Sequence, residues 1–132
     1  MRPPSGTPLA FIYDRCATDR KVILRLRLDA CRAQAEELGW EIAGEWVDDG
    51  DNALTNDRRP AFDSMCDVMA EYGRARLVLC LVHDWDRIAR DGIASSVLRR
   101  RVMLAGGHCE TASGESDDHA PGALATPSVR VP

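Results

Sequence analysis

Residues 76–90 read Arg76-Leu77-Val78-Leu79-Cys80-Leu81-Val82 and then His83-Asp84-Trp85-Asp86-Arg87-Ile88-Ala89-Arg90. An unbroken apolar run of this length suits a strand covered on both faces, as strands of a parallel sheet are. This is the most apolar stretch of the chain, so it is expected at the centre of the sheet. The polar residues 83–90 then form a loop at its carboxyl end.

Working outward, Leu9-Ala10-Phe11-Ile12-Tyr13 is a shorter run of the same kind, and His108–Thr111 is a candidate fourth strand. Val22–Leu38 first alternates like a strand, but Leu24, Leu28, Cys31, Ala35 and Leu38 share one helical stripe and Gly39 is a natural stop. Its length and the helix formers Ala33 to Glu37 decide for helix. Glu41–Val47 reads as a strand and Asp48–Arg59, rich in Asp, Asn and Gly, as a mobile loop. Pro60 suits a first helical turn, and Phe62, Met65, Cys66 and Met69 follow at core spacing up to Gly73. Asp91–Ala105 completes the helices before Gly106-Gly107. Strands alternating with helices predict an α/β fold: a mainly parallel sheet of roughly four strands, flanked by helices in three layers.

The 132 residues fit one domain, with 45% hydrophobic and 29% charged residues and a net charge of −4. No apolar stretch reaches the roughly 18–20 residues of a membrane span, and residues 1–8 form a leader without a signal-peptide core, so a cytoplasmic location and no membrane contact are expected. Five cysteines without a C-x-x-C pair favour buried thiols over disulfides or zinc. Residues 112–132 carry few large aliphatics and are expected to be a disordered tail, leaving 9–111 as the domain. The acidic balance excludes a protein whose whole surface grips nucleic acid, but not a local basic patch.

In a parallel sheet, sites form beyond the carboxyl ends of the strands. Three such ends supply Arg15 and Arg20, then Arg58 and Arg59, then Arg87 and Arg90, with Asp48, Asp49, Asp84 and Asp86 nearby. Guanidinium forks fit phosphate oxygens and stabilise charge on a phosphoryl centre, so the convergence predicts a phosphate-handling site.

These residues resemble the catalytic domain of the serine recombinases of the resolvase and invertase type. Their pattern Tyr-x-Arg-Val-Ser-Thr is matched by Tyr13-Asp14-Arg15-Cys16-Ala17-Thr18. The helix with a cysteine-like position before a glycine is matched by Cys31 to Gly39, a strand ending in Asp by Val47-Asp48, and Arg-Pro before a helix by Arg59-Pro60. Asp86-Arg87-Ile88-Ala89-Arg90 matches Asp-Arg-Leu-Ser-Arg, and the resemblance spans about Leu9 to Thr111. It implies DNA strand exchange through a phosphoserine, with Arg15, Arg59, Arg87 and Arg90 as the arginine cluster, Asp86 as the preceding carboxylate, and no cofactor or obligatory metal.

Three departures bear on activity. The nucleophile position falls on Ala17, whose methyl cannot attack phosphorus. Cys16 and Thr18 are poor substitutes, because neighbours one residue away point elsewhere and catalytic geometry tolerates errors of only about 1 Å. Position 27, often Gln in the family, is Arg27. The long helix and DNA-binding region that follow this domain in working recombinases are also not expected in the tail. The resemblance therefore implies an impaired domain without turnover, left as a mobile-element remnant, with weak binding to the DNA backbone and homodimers or mixed dimers with an intact recombinase as its partnerships. The alternative is a non-catalytic regulator of such a recombinase, and a third reading keeps strand exchange with a substitute nucleophile.

Other residues receive plainer readings. Arg99-Arg100-Arg101 is expected to be a solvated face. Asp48 and Asp49 read as a strand-end turn rather than a metal pair, and His83, His108 and His119 as structural or tail residues. Trp40, Trp46 and Trp85 are expected to pack at strand and loop edges.

Overall fold

The computed structural model describes residues 7–17, 19–49 and 59–117. Along the chain run β1 (Leu9–Cys16), α1 (Lys21–Leu38), β2 (Glu41–Asp49), α2 (Pro60–Tyr72), β3 (Val78–Val82), a short 3-10 turn (Trp85–Arg87), α3 (Gly92–Leu104) and β4 (Cys109–Thr111). The sheet has four strands in the order β2-β1-β3-β4, and every neighbouring pair is parallel. This is the expected α/β architecture, with the apolar run of β3 inside the sheet beside β1.

Alternation along the two inner strands builds the layers. Leu9, Phe11 and Tyr13 of β1 and Val78, Cys80 and Val82 of β3 face a cluster with Phe62, Met65, Cys66 and Met69 of α2 and Val102 of α3. The intervening Ala10, Ile12, Leu79 and Leu81 face Cys31 and Ala35 of α1, with Leu28, Trp40 and Ile42 packed alongside. Helices thus cover both faces, α1 on one and α2 with α3 on the other. Truncating a fully buried side chain such as Phe62 or Met65 costs on the order of 2–5 kcal/mol. Leu38, placed on the buried stripe of α1 from its spacing, is instead exposed on the last turn.

The helix ends follow from local chemistry. Gly39 takes the left-handed conformation (φ +77°) that closes α1, where a residue with Cβ is strained. Gly107 lets the chain pass close to β3, since a Cβ there would lie 2.9 Å from the Val78 carbonyl oxygen. Asp91 caps α3 by accepting from the backbone N–H groups of Ile93 and Ala94.

Several expectations need refinement. Strand β2 runs through Asp49, past the expected end at Val47. The Arg99–Arg101 run is not simply solvated. Arg99 lies over the Trp85 ring at 5.3 Å and pairs with Asp117 at 3.1 Å, while Arg101 lies over Phe62 and pairs with Asp63. Only Arg100 of the three is exposed. Residues 112–117, assigned to the tail from composition, are held here: Ala112 N–H donates to the Val82 carbonyl and Asp117 N–H to the Cys109 carbonyl, at 2.8 Å each. Residues 118–132, residues 1–6 of the expected leader 1–8, and the stretch 50–58 of the expected mobile loop lie outside the described residues.

All five cysteines are buried free thiols. Trp46 stacks on Phe11 with centroids 5.3 Å apart, and Trp40 and Trp85 pack against the two cores. No helix among the described residues is long and apolar enough to cross a membrane.

Candidate functional site

Parallel pairing brings the carboxyl ends of β1, β2 and β3 to one edge of the sheet. There the end of β1, the turn into α1 and the loop after β3 surround a cleft of about 260 Å³. Its charged lining consists of Arg15, Arg20, Arg27, Arg87 and Arg90, and Cys16, Ala17 and Ile23 complete it. Among the described residues, no carboxylate lines it.

The carboxylates stand behind the arginines. Asp14 continues the face of β1 that carries Ala10 and Ile12 toward α1, and is 1% exposed. It receives Nε and Nη2 of Arg27 at 2.9 Å each, a bidentate pair that fixes the planar guanidinium at the cleft wall. Hydrogen bonding to Asp14 is the main cause holding Arg27 above its ordinary pKa range. Arg87 Nη1 lies 3.9 Å from the same carboxylate.

Arg87 is held by two hydrogen bonds. Its Nη1 donates to the Arg15 carbonyl at 2.9 Å and its Nε to Asp84 Oδ1 at 3.3 Å. Asp84 also accepts from the Asp86 backbone N–H at 3.0 Å, which caps the 3-10 turn, and its other oxygen lies 2.7 Å from His83 Nδ1. Burial works to raise the Asp84 pKa, but hydrogen bonding to His83 and the charge of Arg87 outweigh it, so the carboxyl lies below its usual range. Ile88, fully buried, and Ala89 anchor the loop to the core.

Behind the cleft lies a second buried group. The Tyr13 hydroxyl donates to Asp48 Oδ2 at 2.8 Å, and Asp48 also accepts from the backbone N–H groups of Ala61 at 2.8 Å and Phe62 at 3.0 Å. A residue at the end of β2 therefore caps α2, whose own N-cap, Arg59, makes no side-chain cap. Arg59 is buried and its Nη1 donates to the Tyr13 hydroxyl at 3.4 Å. Burial, and the Asp48 charge after it, raise the Tyr13 pKa far above its ordinary value.

Of the residues singled out in the sequence, Arg15, Ala17, Arg87 and Arg90 line one cleft. Arg59 stands outside the lining, yet its charge, after burial itself, is the largest cause lowering the Arg15 pKa. Arg87 and Arg90 add to this, against an opposing contribution from Tyr13. Asp86 is exposed and outside the lining, and Asp84 is the carboxylate that orients Arg87. Arg20, one of the strand-end arginines, joins them in the lining. Asp14 is the residue the strand-end reading misses, although a carboxylate inside an apolar strand opposite an arginine-bearing helix is a signal for a buried pair. The Cys16 thiol donates to the Arg20 carbonyl at 3.3 Å, and Thr18 lies outside the described residues. Among the described residues no group of three or more His, Cys, Asp or Glu side chains is placed to hold a metal.

The family model for the resolvase N-terminal domain matches residues 10–123. The chain belongs to the resolvase family. Its fold is that of serine recombinase catalytic domains. Among similar solved structures is the C-terminal catalytic domain of ISC1926 TnpA, an IS607-like serine recombinase, with TM-score 0.65 and 20% identity over 92% of this chain and 78% of that one. A resolvase family site-specific recombinase from Streptococcus pneumoniae gives TM-score 0.68 and 18% identity, covering 93% of this chain and 85% of that one. The N-terminal catalytic domain of TP901-1 integrase gives 0.64 and 18%, covering 92% and 89%. No curated protein matches the sequence. The resolvase match continues past Thr111 into the residues that close against β4 and Arg99.

Proposed function

We propose that this resolvase-family domain binds the DNA backbone through phosphate in its arginine cleft and does not cut it. The observation that carries this reading is Ala17 in the lining beside Arg15, Arg87 and Arg90. On this reading position 17 corresponds to the family's attacking serine, and a methyl group has neither a lone pair nor a proton to give up. The arginines still supply phosphate recognition. The Cys16 thiol, which donates to the Arg20 carbonyl, is turned to the chain's own backbone and does not replace the serine. Binding of this kind is electrostatic, so it weakens steeply with salt.

The test is to incubate the protein with supercoiled and nicked DNA, denature it, and look for covalent protein–DNA adducts. The native sequence yields none, and Ala17→Ser, fused to a DNA-binding domain, yields adducts. An adduct from the native sequence that disappears in Cys16→Ala or Thr18→Val overturns the non-cleaving reading. Failure of the fused Ala17→Ser protein to cleave overturns the retained geometry.

A second reading, regulation of an intact recombinase by pairing with it, is supported by α3. Ile93, Val97 and Leu104 share one side of that helix and are 76%, 53% and 69% exposed, the kind of apolar patch that marks an association surface. Co-purification with an intact recombinase, abolished by Val97→Glu, is its expected signature.

A further inference from the structure

The five guanidiniums of the cleft differ in how far their charge is met. Arg27 is matched by both oxygens of Asp14. Arg87 is matched by Asp84, with Asp14 at 3.9 Å. Arg15, Arg20 and Arg90 make no ion pair among the described residues, and no carboxylate lines the cleft. Three unmatched cations therefore face one small space. They arrive from three segments: Arg15 from the end of β1, Arg20 from the turn into α1, and Arg90 from the loop that follows the 3-10 turn. Arg15 in addition feels Arg59 from behind.

We propose that the cleft selects a terminal phosphomonoester over the phosphodiester of a continuous strand. This rests on the reading of the cleft as a phosphate site and names which phosphate it prefers. A monoester carries about −1.5 to −2 charge at neutral pH and three free acceptor oxygens, whereas a diester carries a single charge and two. Three unmatched guanidinium forks around one centre fit the dianion, with a donor group for each free oxygen. The volume, about 260 Å³, lies just under the usual span of ligand pockets, about 300–1,000 Å³. It has room for one phosphorylated end rather than a length of duplex. Ala17 offers no nucleophile and the Cys16 thiol of the lining is turned to the Arg20 carbonyl, so the end is held unchanged.

The chemistry could come from a DNA strand end or from a free phosphorylated molecule, and one set of titrations separates them. The full-length protein is titrated with a short single strand bearing a 5′-phosphate, the same strand with a 5′-hydroxyl, and inorganic phosphate. The expected result is binding of the phosphorylated strand about tenfold tighter than the hydroxyl-ended one, the scale of one added charge-assisted hydrogen bond. Arg90→Ala and Arg20→Ala, both at exposed positions, remove that difference, and Arg100→Ala, exposed on α3 and outside the cleft, retains it. Inorganic phosphate binding as tightly as the phosphorylated strand supports the same chemistry with a free ligand as its source. Equal binding of the two strands, or a difference that survives both cleft variants, overturns the preference while leaving backbone binding standing. Binding of none of the three overturns the phosphate site itself.

Discussion

Arg27 and Asp14 form a bidentate ion pair, two hydrogen bonds of 2.9 Å between side chains that are 13% and 2% exposed. The pair joins α1 to β1 under the arginine cleft. It also shows how a cation is accommodated at position 27: its charge is neutralised from within the sheet. Removing one partner leaves a poorly hydrated charge, so Asp14→Ala is expected to cost about 3–5 kcal/mol. Asp14→Leu combined with Arg27→Met recovers most of that loss, because an apolar pair of similar volume does not need the compensation. Urea unfolding of the two variants measures both effects.

Asp48 is expected to matter more than its sequence setting suggests. Its carboxylate serves two N–H groups of α2 and the Tyr13 hydroxyl. Asp48→Ala loses a helix cap and strands a buried hydroxyl, together about 2–4 kcal/mol. Tyr13→Phe removes only one of the three bonds and is expected to cost about 1 kcal/mol. Thermal unfolding ranks them, and equal losses would contradict the capping role.

How much of this was legible in the sequence depends on the range of the interaction. The unbroken apolar run Leu9–Tyr13 and the spacing of Phe62, Met65, Cys66 and Met69 are local signals, and both gave the elements they predict, the strand running on to Cys16. Arg15, Arg20, Arg87 and Arg90 of the cleft were legible because they follow strand ends, whereas Arg27 reaches it from within α1. The carboxylates that hold them were not, since Asp14 meets Arg27 thirteen residues later and Asp48 caps a helix across a loop. Asp84 outranks Asp86 because a 3-10 turn points it back at Arg87. Composition gave residues 112–117 too little apolar surface to order, yet hydrogen bonds to Val82 and Cys109 and the Arg99–Asp117 pair hold them.

The buried thiols set an alkaline limit to stability. Burial pushes Cys31 up to about 12 and Cys66 up to about 11, while a thiol in the unfolded chain titrates near 8.5. Above that pH the unfolded chain releases protons that the folded chain keeps, so stability is whole below about pH 8.5 and falls as the pH climbs toward the folded values. Urea midpoints are expected to drop between about pH 7.5 and about pH 10.5, and Cys31→Ala should lessen the slope. A slope unchanged by that substitution would remove Cys31 from the account.

The central claim is that the cleft of Arg15, Arg20 and Arg90 takes phosphate. The most direct measurement is a titration with inorganic phosphate, followed through the NMR signals of the arginine Nε–H groups. The account predicts saturable shifts at Arg15, Arg20 and Arg90, smaller ones at Arg27, which Asp14 already occupies, and none at the exposed Arg74 and Arg100. Equal, unsaturated shifts across all of these arginines would contradict it.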